Sequence, residues 1–377
     1  MEVSLHKNME NPFEYQRVVT GERFVDRREE IKILTNSMIQ GENLILFSPR
    51  RLGKTSLLKE AMRRITEKRT IVYIDLFGCT NEKEICERIT NAVINGAYTK
   101  IEKAVIAIKE FIKSAKPTIV LGKEGIELRF EFFEKEKTLR DVLKMIQKIS
   151  NKKNRKMVAI IDECQIIAEI EGLEAIFRSE IQEQNTVCYI FSGSKMHVLE
   201  AMIKDKNRPF YRQLRPFSLG LIPKEEFNPF IKKKFSKVAK IDQKTLEEIH
   251  RFDKGNPQRT QQICHWLFSK VLEGANLNPA LVEEAVKKIC LSLDKEFETE
   301  FDSINNLRQK RIINALAIEE IKKPLSDGFI NKYDLGPSST VYASLKRLVE
   351  KGILDEKYGF VDPLFGTWIL FRHERRL

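Results

Sequence analysis

Four short apolar runs punctuate the first two thirds of the chain: Leu44-Ile45-Leu46-Phe47, Thr70-Ile71-Val72-Tyr73-Ile74-Asp75-Leu76, Met157 to Ile161 and Val187 to Phe191. Each has strand length and is apolar at consecutive positions, the signature of a strand buried on both faces of a parallel sheet. Between them apolar residues recur at helical spacing. Ile31, Leu34 and Met38 share a face within 24–40, and helices are predicted from Lys54 to about Ile65, over 81–114, near 138–150 and over 171–181. Strands alternating with helices imply a parallel sheet with helices on both faces. Residues 117–133 alternate around Gly122 and Gly125, which predicts a hairpin.

The pattern changes after Pro223. Residues 224–292 read as helical throughout, with one break at Gly255-Asn256-Pro257. A helix follows over 308–318 with Ile312, Ile313 and Leu316 inward, then a short one from Ser326 to Tyr333. Gly336-Pro337-Ser338-Ser339 opens a third, with Val341, Leu345 and Leu348 on one face, which Gly352 stops near Lys351. Ile353 to Val361 predicts a hairpin around Lys357-Tyr358-Gly359, completing a winged helix-turn-helix. The fold class expected is α/β: a parallel sheet with helices on both faces, a helical domain and a C-terminal winged helix-turn-helix. The domains are expected at 11–222, 223–294 and 295–377, consistent with two or three for 377 residues.

Composition narrows the chemistry. The six cysteines include no CxxC pair and lie mostly in apolar runs, so buried free thiols in a reducing compartment are expected. No His/Cys cluster has zinc-ligand spacing. Met1-Glu2-Val3-Ser4-Leu5-His6-Lys7 leads into no apolar stretch, and no segment approaches 18 apolar residues, so a cytoplasmic protein with no signal peptide and no membrane association is expected. The net charge of +12 favours an acidic partner, unless it reflects only a lysine-rich surface.

The chemistry concentrates at Ser48-Pro49-Arg50-Arg51-Leu52-Gly53-Lys54-Thr55, which follows a buried strand and opens a helix, as a Walker A loop does, so the α/β sheet expected is that of a P-loop NTPase with the helical region after it as a lid. Gly53 allows a tight backbone approach to phosphate, N–H groups and the positive helix end cradle it, Lys54 reaches the β- and γ-phosphates, and Thr55 offers a hydroxyl to Mg²⁺. Ser48 stands where the first glycine is usual, and Pro49 pre-sets the backbone beside it. Val158 to Ile161 then ends in Asp162-Glu163. Asp162 suits Mg²⁺, through a water, and Glu163 suits activation of the hydrolytic water; a merely solvated strand end is the plainer alternative. Ser192-Gly193-Ser194 closes the fourth strand, either a γ-phosphate contact through Ser194 or an ordinary turn. Arg208, Arg212 and Arg215 follow, each a candidate arginine finger or a structural arginine, with Arg212 preferred.

In this order, Walker A, Asp162-Glu163, Ser192-Gly193-Ser194 and Gly255-Asn256-Pro257 resemble the archaeal ATPase family, at the border of the AAA+ and STAND classes. Arg23-Phe24-Val25-Asp26-Arg27-Arg28-Glu29-Glu30-Ile31 is similar to that family's segment before the first helix. Ser48 to Leu58, including Ser56, matches its proline-arginine-arginine form of Walker A. The resemblance spans about 11–370 and is vague over 80–150. It implies ATP/ADP binding with Mg²⁺, adenine packed against Phe24, Val25 and Arg27, and Pro257 near the base in a helical lid.

The partner is left between two readings. The recognition helix would present Ser339, Thr340, Tyr342, Lys346 and Arg347, which suits double-stranded DNA. Residues 303–377 carry only 13 basic side chains against 9 acidic, and winged helices also dock proteins, so a protein partner or a homo-oligomer is the alternative. A small-molecule kinase ranks lower, because Glu163 suits water activation.

Overall fold

The computed structural model describes residues 9–25, 27–98, 115–122, 125–132, 135–319, 321 and 323–374. They form two compact units. One comprises Arg28–Arg50 and Lys54–Gly220; the other comprises the described residues up to Arg27, Arg51–Gly53 and those from Leu221 onward.

The first unit contains, in chain order, α1 (Arg28–Gln40), β1 (Leu44–Phe47), α2 (Lys54–Ile65), β2 (Thr70–Asp75), α3 (Glu82–Ala97), β3 (Ala115–Gly122), β4 (Gly125–Phe132), α4 (Lys135–Lys152), β5 (Met157–Asp162), α5 (Gln165–Glu169), α6 (Leu173–Gln182), β6 (Val187–Gly193), α7 (Met196–Lys204) and β7 (Arg215–Ser218). Five strands make one parallel sheet in the order β2-β5-β6-β1-β7, flanked by helices. The three central strands, β5, β6 and β1, are buried at every position, which is why they appear in the sequence as unbroken apolar runs.

The edge strand β7 was not expected. Its residues, Arg215-Pro216-Phe217-Ser218, are mostly exposed, and proline is tolerated there because an edge strand leaves ladder positions unused. The hairpin expected at 117–133 forms as β3 and β4, paired from Ala115↔Phe132 to Gly122↔Gly125. Of the helices expected over 81–114, α3 covers Glu82–Ala97, and residues 99–114 lie outside those described.

Register matters most for function. β2 pairs with β5 so that Asp75 faces Asp162, and β1 pairs with β6 so that Phe47 faces Gly193. Parallel pairing therefore brings the ends of β1, β6 and β5 to one edge of the sheet, the edge where open α/β folds bind ligands.

The second unit is helical: α8 (Lys224–Phe235), α9 (Gln243–Asp253), α10 (Pro257–Leu272), α11 (Pro279–Ser292), α12 (Asp294–Asp302), α13 (Leu307–Ile318), α14 (Asp327–Lys332), α15 (Ser338–Glu350) and α16 (Pro363–His373). Side chains of Asp242, Asn256, Asn278, Asn306 and Asp362 cap helix starts by accepting backbone N–H bonds, and proline follows at the first turn of α10, α11 and α16. The predicted break at Gly255-Asn256-Pro257 is the α9–α10 turn. There Gly255 has φ +82° and a Cβ would lie 2.5 Å from the Ile222 carbonyl oxygen, so only glycine fits.

In the winged helix, Val341, Leu345 and Leu348 are buried as expected, while Ser339, Tyr342, Lys346 and Arg347 are exposed and Thr340 is half-buried. The predicted hairpin at Ile353 to Val361 forms: Leu354 bridges Phe360, the Asp355 N–H donates to the Gly359 carbonyl at 2.8 Å, and the Val361 N–H donates to the Ile353 carbonyl at 3.0 Å. At its tip Asp355 Oδ1 accepts the N–H groups of Lys357 and Gly359 at 2.8 and 2.9 Å. Helix α16, not foreseen, buries Trp368, whose Nε1 donates to Asp294 Oδ1 at 2.8 Å.

All six cysteines are free and buried; desolvation pushes the thiols of Cys188 and Cys290 up to about 12. Among the described residues, no helix is long and apolar enough to cross a membrane.

Candidate nucleotide site

Lys54 and Thr55 start α2 directly after the β1 loop. Lys54 is only 8% exposed, and burial pushes its ammonium pKa down against the opposing pull of the Asp162 and Glu163 charges. Thr55 Oγ1 donates to Asp162 Oδ2 at 3.5 Å. Asp162 ends β5, and its Oδ1 accepts the Glu163 N–H at 3.1 Å.

Tyr73, which the sequence did not single out as functional, donates its hydroxyl to the same Asp162 Oδ2. Burial first, and the Asp162 charge next, push the Tyr73 phenol well above its ordinary value, so it stays a donor. Lys59, one helical turn beyond Thr55, holds its ammonium 3.5 Å from the centre of the Tyr73 ring.

Glu163 adopts a left-handed backbone, φ +53°, as the chain turns sharply off β5. The turn is tied by the Cys164 N–H to the Ser192 carbonyl at 2.8 Å, which links the exits of β5 and β6. Ser194 Oγ donates to Glu163 Oε2 at 3.4 Å, and Gln165 Nε2 donates to the same oxygen. Lys54, Thr55, Asp162, Glu163 and Ser194 are thus brought together, with Tyr73, Lys59 and Gln165 added.

The remaining predicted residues are distributed as follows. Ser48 is buried, its hydroxyl donating to the Pro49 carbonyl at 3.0 Å; Pro49 and Ser56 are half-buried and Arg50 is exposed. Arg51, Leu52 and Gly53 cluster with the second unit. Arg51 (φ +69°) pairs with Glu296 at 2.8 Å and Asp362 at 3.4 Å, and the Leu52 carbonyl accepts from Arg27 Nη2 at 3.1 Å. Gly53 has φ +83°, and a Cβ there would meet nothing nearer than Pro257 Cγ at 3.9 Å, so the backbone conformation alone calls for glycine. Phe24 is half-buried and Val25 and Arg27 are buried in the same unit. Of the three arginines, Arg208 is committed to Glu174 by two bonds of 3.0 and 2.7 Å and Arg215 to Glu42 at 2.8 Å. Arg212 is exposed, with φ +55° and its guanidinium 5.0 Å from the Tyr211 ring.

The oxygens of Thr55 and Asp162 are hard donors of the kind a magnesium ion takes. Among the described residues no group of three or more His, Cys, Asp or Glu forms a cage. A hydroxyl and a carboxylate fit an ion that draws its other ligands from phosphate and water.

A family described as an ATPase domain predominantly from Archaea matches residues 24–263, and a second, described as a "probable winged helix domain", matches 296–370. Among solved structures, a Walker-type ATPase of Pyrococcus abyssi is similar at 19% identity and TM-score 0.66, over 95% of this chain and 99% of that one. The ORC2 protein of Aeropyrum pernix, solved in ADPNP–ADP complexes, is similar at 16% identity and TM-score 0.58, over 97% and 99%. At these identities the likeness speaks for the fold. No curated protein matches the chain.

Proposed function

The chain belongs to the family of ATPase domains found predominantly in Archaea and carries a winged helix at 296–370, and on that premise we propose that it binds Mg-ATP and hydrolyses it as a nucleotide-dependent switch that engages duplex DNA. The observation that carries the reading is the convergence of Lys54, Thr55, Asp162 and Glu163 at the ends of β1 and β5, with Thr55 Oγ1 3.5 Å from Asp162.

In this reading Lys54 binds the β- and γ-phosphates, and its desolvation strengthens that attraction. Pro49, Arg50, Arg51, Leu52, Gly53 and Ser56 line the phosphates, and Phe24, Val25, Arg27 and Pro257 are assigned to the base. Thr55 and Asp162 would hold Mg²⁺, which when bound offsets phosphate charge. Glu163 takes a proton from water as the water oxygen bonds to the γ-phosphorus and the bridging bond to ADP breaks. Ser194 keeps Glu163 in place and contacts the γ-phosphate; Arg212, in this chain or a second copy, stabilises charge on the transferred group. The switch follows if γ-phosphate contacts differ between two states of the protein. The exposed Ser339, Tyr342, Lys346 and Arg347 would meet DNA. The mild basicity of 303–377 favours a second reading, in which the same face binds a protein partner or another copy.

The test is phosphate release from Mg-ATP by wild type, Lys54→Ala and Glu163→Gln, each with and without duplex DNA. Lys54→Ala should weaken nucleotide binding. Glu163→Gln should bind normally and turn over about 10²- to 10⁴-fold more slowly. Equal turnover by wild type and Glu163→Gln would sink the base assignment. A rate changed by DNA, with retention that falls steeply with salt, supports the DNA reading; indifference to DNA favours the protein partner.

A further inference from the structure

Gln165 opens α5 two residues after Glu163 and is 5% exposed. Its Nε2 donates to Glu163 Oε2. The amide NH₂ thus faces the Glu163 carboxyl and Oε1 points away from it. That Oε1 is buried and has no hydrogen-bond partner among the described residues. The neighbouring strand end makes room for this amide: a Cβ on Gly193 would lie 2.3 Å from Gln165 Oε1 and 2.9 Å from Leu199 Cδ1.

We propose that Gln165 is a positioning residue for hydrolysis. It holds Glu163 by one carboxylate oxygen, leaving the other to face water, and Gly193 is glycine to leave space for it. The inference rests on Glu163 acting as the base. Glu163 sits on a left-handed residue at a turn beyond the last position of β5, so the strand ladder does not fix its side chain. Two donors on one oxygen, from Gln165 and Ser194, supply that control. Gln165 acts only through Glu163, so its contribution disappears once Glu163 cannot take a proton.

Three variants test this in the full-length protein by single-turnover and steady-state hydrolysis, with thermal melts alongside. Gln165→Met keeps the volume and removes both polar ends. It should lower kcat about 10²-fold, the order expected from a misplacement near 1 Å, with KM for ATP within about twofold. Its Tm should equal or exceed that of wild type, because an unpaired buried acceptor is gone. Gly193→Ala should lower kcat in the same direction with little change in Tm, since the atoms displaced are the ends of flexible side chains. Gln165→Met combined with Glu163→Gln should be no slower than Glu163→Gln alone. Unchanged kcat in Gln165→Met, or losses that multiply in the double variant, would overturn the proposal while leaving the ATPase reading standing. Wild-type turnover by Glu163→Gln would remove the base assignment and this inference with it.

Discussion

Loss of Asp362 should strongly destabilise the C-terminal unit. Arg259, 3% exposed, donates Nε to Asp362 Oδ1 at 2.9 Å and Nη2 to Oδ2, with Nη1 to Gln262 Oε1 at 2.5 Å. Asp362 also caps α16 by accepting the Leu364 N–H at 3.1 Å, and Arg51 approaches it at 3.4 Å. Asp362→Asn preserves size and an oxygen for the cap but removes the charge and turns an NH₂ toward the guanidinium. Removing one partner of a buried pair costs about 3–5 kcal/mol, chiefly because the other charge is stranded. The stranded group here is Arg259, whose side chain is 4% exposed, which argues for the upper part of that range. Arg259→Met strands Asp362 instead, which is 13% exposed and keeps Arg51, so its cost should sit at the lower end. Asp362→Ala should exceed both by about 1 kcal/mol, for the lost cap.

The assay is urea unfolding followed by tryptophan fluorescence. The chain has two tryptophans, Trp266 and Trp368, and both lie in this unit, so the signal reports on it alone. With a slope of about 3 kcal/mol per molar, Asp362→Asn should lower the midpoint by about 1–2 M. Arg259→Met in the Asp362→Asn background should restore much of the loss, since no stranded charge remains. A shift for Asp362→Asn below about 0.3 M would reduce the pair to the worth of a surface ion pair and refute the argument from burial.

Two further outcomes follow from named contacts. Tyr73→Phe removes the hydroxyl on Asp162 and keeps the ring beneath Lys59, so the Mg²⁺ needed for half-maximal binding of a fluorescent ATP analogue should rise about tenfold; an unmoved Mg²⁺ curve would refute it. Burial first, then the Asp362 charge, hold the Glu300 carboxyl above its ordinary value against Arg51; a raised carboxylate contributes stability present below the unfolded value of 4.5 and lost as pH rises through the folded one. Glu300→Gln should therefore raise the urea midpoint at pH 7, with the gain shrinking below pH 4.5, and a gain independent of pH would count against it.

What the sequence made legible depended on burial. β1, β5 and β6 are buried on both faces and appear as apolar runs, so the parallel sheet could be read directly. β7 is exposed, four residues long and contains Pro216, so it has neither an apolar run nor alternation. Helix α16 failed for the opposite reason: Leu364, Phe365, Trp368, Ile369 and Phe371 are buried nearly all round, which erases the one-sided periodicity that marks a surface helix. The wing forms as the short hairpin expected, and its ladder stops where the Ile353 N–H is committed to the Leu348 carbonyl at the end of α15.

The site divides along a similar line. Lys54-Thr55 and Asp162-Glu163 are contiguous in sequence, each at the end of a readable strand. Tyr73 and Gln165 reach the same carboxylates only through strand register and through the turn at Glu163. Nor could sequence separate Arg212 from Arg208 and Arg215, because the difference lies in whether Glu174 or Glu42 holds the side chain.

The backbone explains why local rules fail here. Arg51, Gly53 and Glu163 all adopt left-handed φ, at the exits of β1 and β5. For Arg51 and Glu163 that conformation costs about 1–2 kcal/mol each relative to an ordinary turn. Such residues persist only where the surroundings over-determine them. Arg51 is held by Glu296 and Asp362; the Glu163 turn is held by the Cys164–Ser192 bond, with Gln165 and Ser194 on the side chain. Propensity would have placed glycine or asparagine at both positions. In each place the neighbouring hydrogen bonds and ion pairs offset the conformational cost of a charged side chain on a left-handed backbone.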